Sequence, residues 1–118
     1  MSHAVTIYHN PRCSKSRETL ALLKDNGVEP EVVVYLDTPP DAATIKNLLK
    51  MLGMSSAREL MRQKEDLYKE LNLDDSTLSE SALIDAMMAH PKLIERPIVV
   101  KNGQARIGRP PEQVLEII

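Results

Sequence analysis

Two short stretches rich in β-branched and aromatic residues, "AVTIYH" from Ala4 to His9 and "EVVVYL" from Glu31 to Leu36, stand on either side of a helical pattern. That order constrains the chain more than any other feature, because a strand, a helix and a second strand at this spacing form a βαβ crossover with the strands parallel. The helix reads from Cys13 to about Asn26, with Cys13, Ser16, Leu20 and Leu23 on one inward face and Gly27 as its left-handed stop. The second stretch is nearly unbroken in β-formers, which predicts a strand covered on both sides.

The rest of the chain changes period twice. Thr38, Pro39 and Pro40 open a helix whose Ile45, Leu48, Leu49 and Leu52 recur at three and four residues, and Gly53 closes it. Ser56 and Glu59 have the spacing of a capping box for a short helix carrying Arg58 and Arg62. Lys64 to Thr77 is acidic and irregular, a loop with a turn of helix, and another helix follows from about Ser79 to Ala89. "PIVV" and "QARI" then flank "KNGQ", whose Asn102 and Gly103 signal a type I′ hairpin. Pro110 and Pro111 open a terminal helix through Val114, Leu115 and Ile118. The assembled order, β-α-β, a helical insertion, then β-β-α, predicts an α/β fold with a four-stranded mixed sheet. This is the thioredoxin-like arrangement.

Length and charge narrow the function. At 118 residues the chain is read as a single domain over 1–118, with a core of Leu, Ile, Val, Met and Ala because Phe and Trp are absent. A formal charge of −2 argues against bulk binding of nucleic acid or acidic membrane, so any anion site must be local. The lone cysteine forms no internal disulfide, no leader pattern opens the chain and no apolar run spans a bilayer, so the expected compartment is the cytoplasm.

That lone cysteine is the chemical focus. Cys13 falls where a helix N-terminus offers unpaired N–H groups and the positive end of the dipole, both of which favour thiolate over thiol. Arg12, Lys15 and Arg17 add positive charge close by in sequence. Ser16, at Cys-x-x-Ser spacing, could donate its hydroxyl to the sulfur, and His9 at the strand end could stabilise or deprotonate it. No metal site is expected.

The string "YHNPRCSKSRETL", together with "YLDTPP", "LMRQKEDLYKELNL", "HPKLIERPIVV" and "RIGRPPEQVLEI", resembles the glutaredoxin-dependent arsenate reductase family, among its shorter members, over essentially the full chain. The resemblance implies a thioredoxin-like fold in which Cys13 attacks arsenate and three arginines, Arg62, Arg96 and Arg109, bind the oxyanion. It also implies roles for His9 and Ser16 beside the nucleophile, and a cis peptide bond before Pro97. Arg58 and Arg106 are read as surface or supporting charges. Guanidinium forks suit a tetrahedral oxyanion because their donors lie in one fixed plane.

A chain with one thiol lacks the second sulfur that reduction of arsenic needs. The implied electron source is therefore external: glutathione as co-substrate, with no bound cofactor, and then a glutaredoxin. Two rival readings remain. A monothiol enzyme exchanging glutathione with protein disulfides would use Cys13 and be indifferent to the three arginines. An Spx-type RNA polymerase-binding regulator is counted against by Ser16, which stands where those proteins commonly carry a second cysteine.

Overall fold

In the computed structural model, which describes residues 4–118, the chain divides into two compact units, Met1–Thr38 with Arg96–Ile118, and Pro39–Glu95. The opening residues 1–3, part of the stretch in which no leader is read, lie outside the described residues.

The first unit carries the sheet. Strand β1 (Val5–His9), helix α1 (Ser14–Asp25) and strand β2 (Glu31–Val34) form the crossover, and β3 (Ile98–Lys101) and β4 (Gln104–Ile107) form the hairpin. The strand order is β2-β1-β3-β4, with β1 and β2 parallel and the other two pairings antiparallel. This is the thioredoxin-like α/β fold, with the helical insertion lying in sequence between its βαβ and ββα halves. Period-two alternation along β1 sends Val5, Ile7 and His9 inward. Val5 and Ile7 join Leu23 of α1, Val99, Val114 and Ile117 in one apolar cluster. Asn102 and Gly103 both take positive φ, 53° and 79°, as the two-residue hairpin turn requires.

Three sequence expectations are corrected here. First, β2 lies at the edge of the sheet and stops at Val34, where β1 ends opposite it, and Val32 is 42% exposed. Its run of β-formers therefore does not mark a strand covered on both sides. Tyr35 is buried in the turn that follows. Second, the inward face of α1 also carries Thr19, fully buried beside Ser16 and Leu23, while Leu20 packs against the core only partly buried. Third, the terminal element is a 3-10 segment, Pro111–Glu116. Its buried residues Pro111 and Val114, with Ile117 just past its end, recur every three positions, the 3-10 period rather than the α period.

The second unit is helical: α2 (Ala42–Leu52), a 3-10 turn Ala57–Leu60, α3 (Asp66–Glu70), α4 (Glu80–Ala89) and a 3-10 turn Pro91–Leu93. Ile45, Leu48, Leu60, Leu83, Met87 and Leu93 are fully buried within it. Side chains cap the starts of α2 and α4: Asp41 accepts from Thr44 N–H at 2.8 Å and Ser79 from Ala82 N–H at 3.1 Å. Such caps contribute about 1 kcal/mol each. The Ser56–Glu59 capping box forms as expected. Glu80 then accepts from Ser56 Oγ at 2.8 Å and Ala57 N–H at 2.6 Å, fastening the start of α4 to that turn. Arg58 donates to Tyr68 Oη and to the carbonyls of Leu73 and Asp75, so the irregular acidic stretch is stapled rather than loose. Arg62 lies past the end of the 3-10 turn instead of on it. Its N–H donates to Leu93 O at 2.7 Å, beside the isolated bridge between Met61 and Ile94.

Candidate active site

Hairpin arithmetic assembles the first unit's site. The Asn102–Gly103 turn fixes a register in which Ile98 faces Ile107. One step further, Gly108 N–H donates to Pro97 O at 2.9 Å. One step beyond that, Arg109 Nε donates to Arg96 O at 2.9 Å. Two arginines thirteen residues apart thus meet at the open end of the hairpin. Because Ile98 also pairs with Tyr8, that end lies where β1 runs out toward Cys13. The Arg96–Pro97 and Arg109–Pro110 peptide bonds are both cis.

Gly108 permits the close approach of this end to α1. A Cβ there would overlap Thr19 Oγ1 and lie 2.9 Å from Pro97 Cγ. The absence of a side chain lets the backbone of the hairpin press against the inner face of α1, which delivers Arg109 to the start of that helix.

Cys13 is the N-cap residue of α1, in extended conformation, and is half-buried. A turn closed by Cys13 N–H donating to Asn10 O at 3.0 Å leads into it. Arg109 Nη2 lies 3.7 Å from Sγ. Burial pushes the thiol pKa up, but hydrogen bonds from the Ser16 and Lys15 backbone and the charges of Arg96 and Arg109 outweigh it, and the net shift is downward. The sulfur is therefore biased toward thiolate. The charges acting on it belong to Arg96 and Arg109, which are remote in sequence, and not to the adjacent Arg12 or Arg17.

Ser16 and His9 come together, though not as the sequence suggests. Ser16 is fully buried; its Oγ accepts from Asn10 N–H at 3.0 Å and lies 2.7 Å from His9 Nδ1. The hydroxyl is thus engaged with the strand end and the turn, while the backbone of Ser16 acts on the sulfur. Burial, then the charges of Arg17 and Lys24, lower the His9 pKa, so the imidazole is held neutral. Arg17 Nη1 donates to Pro11 O at 3.0 Å and braces the same turn.

Arg62 belongs to the second unit. There its guanidinium meets Glu65 at 2.9 Å and Glu95 at 3.9 Å, and Lys92 approaches Glu65 at 3.6 Å. Arg106, read as a supporting charge, pairs with Glu116 at 2.8 Å. The sequence reading missed Gly108 as the close-contact position and the acidic partners of Arg62. Equal steps outward from the Asn102–Gly103 turn carried the signal that pairs Arg96 with Arg109.

The ArsC family model matches residues 8–117. The chain belongs to the ArsC family. An Escherichia coli strain K12 relative, called Uncharacterized protein YfgD, is 79% identical over 118 residues, 100% of this chain and 99% of that one. The arsenate reductase of Neisseria meningitidis serogroup A is 53% identical over 114 residues, 97% of each chain. Among solved structures, an arsenate reductase from Vibrio cholerae superposes with a TM-score of 0.98 at 63% identity, covering 100% of both chains. The described residues of this ArsC chain include no helix long and apolar enough to cross a membrane. They also bring together no group of three or more His, Cys, Asp or Glu placed to hold a metal.

Proposed function

We propose that this ArsC protein reduces arsenate to arsenite through the thiolate of Cys13, in the reducing cytoplasm, with electrons from glutathione and a glutaredoxin. The observation that carries this reading is the Arg109 guanidinium 3.7 Å from a sulfur whose pKa is lowered. Without cationic partners the thiolate and an arsenate oxyanion would repel each other. Cys13 Sγ forms a bond to arsenic and an arsenate oxygen leaves as water. The thiol of glutathione displaces a second oxygen from the same arsenic as water, and a glutaredoxin thiolate then attacks the glutathione sulfur. The As–S bond to glutathione breaks and its electron pair stays on arsenic, which is reduced by two electrons, while the two external sulfurs are oxidised to a mixed disulfide. Water then displaces Cys13 Sγ from the arsenic(III), which returns the thiol unchanged and frees arsenite. Two thiols and one arsenate give one disulfide, one arsenite and one water.

His9 and Ser16 serve this reaction by fixing the turn that presents Cys13, and Arg96 and Arg109 hold the anion. The part given to Arg62 rests on the sequence resemblance. A coupled assay with arsenate, glutathione and glutaredoxin tests the reading. Cys13→Ser should lose all turnover, and Arg96→Ala and Arg62→Ala should raise the KM for arsenate. Equal turnover in wild type and Cys13→Ser removes the nucleophile assignment. Disulfide exchange without arsenate reduction assigns the protein to the monothiol exchange class instead.

A further inference from the structure

A groove of about 330 Å³ flanks the turn that presents Cys13, lined by Asn10, Pro11, Arg12, Val34, Leu36 and Asp37. It opens where the parallel strands β1 and β2 end, since Asn10 follows the last residue of β1 and Val34 is the last of β2. Small-molecule sites begin at about 300 Å³, so the groove is large enough to take a ligand group.

Its lining has a definite chemistry. Pro11, Val34 and Leu36 supply apolar wall, while Arg12 and Asp37 supply one positive and one negative charge. Among the described residues neither of these side chains enters a salt bridge or a side-chain hydrogen bond, in contrast to Lys15, Arg62 and Arg106. Asn10 Oδ1 accepts from Arg12 N–H at 3.0 Å, which fixes the backbone from which the guanidinium projects. A guanidinium and a carboxylate on one groove complement a carboxylate and an ammonium on one ligand group, which is an α-amino-acid head. Arg12 and Cys13 are consecutive, so a ligand anchored at Arg12 lies within one residue of the sulfur along the same turn.

The geometry points to this groove as the subsite for the γ-glutamyl head of glutathione, with Arg12 taking its α-carboxylate and Asp37 its α-ammonium, so that the tripeptide's thiol is directed to the adduct on Cys13. The assignment rests on the proposed function, which requires a small external thiol beside Cys13, and adds the residues that recognise it. The head and its methylenes fill the groove, and the rest of the tripeptide lies outside.

The test uses S-methylglutathione, which cannot react, titrated calorimetrically into the full chain. Loss of one charge-assisted contact should weaken binding about tenfold in Arg12→Ala and in Asp37→Asn. N-acetyl-S-methylglutathione, whose ammonium is blocked, should bind wild type only as well as S-methylglutathione binds Asp37→Asn. In turnover, both variants should raise the KM for glutathione while leaving the KM for arsenate and the pH midpoint of Cys13 alkylation within twofold and a few tenths of a unit respectively, roughly the scatter expected of sites that do not couple. Binding of S-methylglutathione within twofold of wild type in both variants, or equal affinity for the acetylated probe, overturns the assignment. Normal binding of S-methylglutathione with no arsenate reduction overturns the proposed function and leaves the groove standing.

Discussion

The two units of this chain handle polar groups in opposite ways. Among the described residues, the buried polar or charged side chains are His9, Ser16, Thr19 and Arg96, and all four belong to the sheet-bearing unit. In the helical unit the buried side chains are apolar apart from the Tyr68 hydroxyl, and the charges are spent near the surface on caps and ion pairs such as Glu80 with Ser56 and Arg62 with Glu65. Burying a polar group costs free energy unless it is hydrogen-bonded. The helical unit avoids that cost, whereas the sheet-bearing unit bears it at the one end where Cys13 sits. The difference teaches that stability and chemistry are separately placed in this sequence.

Truncating a side chain of the apolar unit tests that separation most severely. Leu60 is fully buried, so Leu60→Ala should cost about 2–5 kcal/mol in urea denaturation. The same variant, under conditions where it is folded, should alkylate Cys13 with an unchanged pH midpoint; a shifted midpoint breaks the comparison. Gly108→Ala should cost about 1–3 kcal/mol, because the added Cβ overpacks against Thr19 and Pro97. Here the alkylation midpoint should rise, since Arg109 is pushed from the sulfur it helps ionise, and Thr19→Ala in the same chain should restore part of both losses.

The smallest expected effect is a pH dependence. His9 has a lowered pKa in the folded chain, so the unfolded chain takes up its proton first as pH falls. Its contribution to stability is complete above the ordinary histidine pKa of about 6.5 and is lost as pH drops through the lower folded value. Denaturation midpoints of His9→Gln should lose that part of the acid slope. An unchanged slope locates the acid sensitivity elsewhere.

How much was legible beforehand follows from the range over which each signal acts. Ser56 pairs with Glu59 three positions on, so the string "SARE" carries that cap locally, whereas Asp41 and not the region of Thr38 proves to be the start of α2. The edge position of β2 was not legible, since "EVVV" has the composition of an interior strand and only its lack of a second neighbour tells otherwise. Ser16 shows the same limit at the site. Its spacing from Cys13 was visible, but its partnership with His9 depends on the angle at which α1 leaves β1.

By itself, the sequence determined the order of strands and helices, the hairpin turn at Asn102–Gly103 and the presence of a cysteine at a helix start, because cap, turn and period chemistry act between residues a few positions apart. Only the tertiary structure decided which charges ionise Cys13, why residue 108 has no side chain and what Arg62 binds in its own unit. Those outcomes depend on groups brought within a few ångströms by the folding of the whole sheet or helical unit, and no local pattern encodes such a distance.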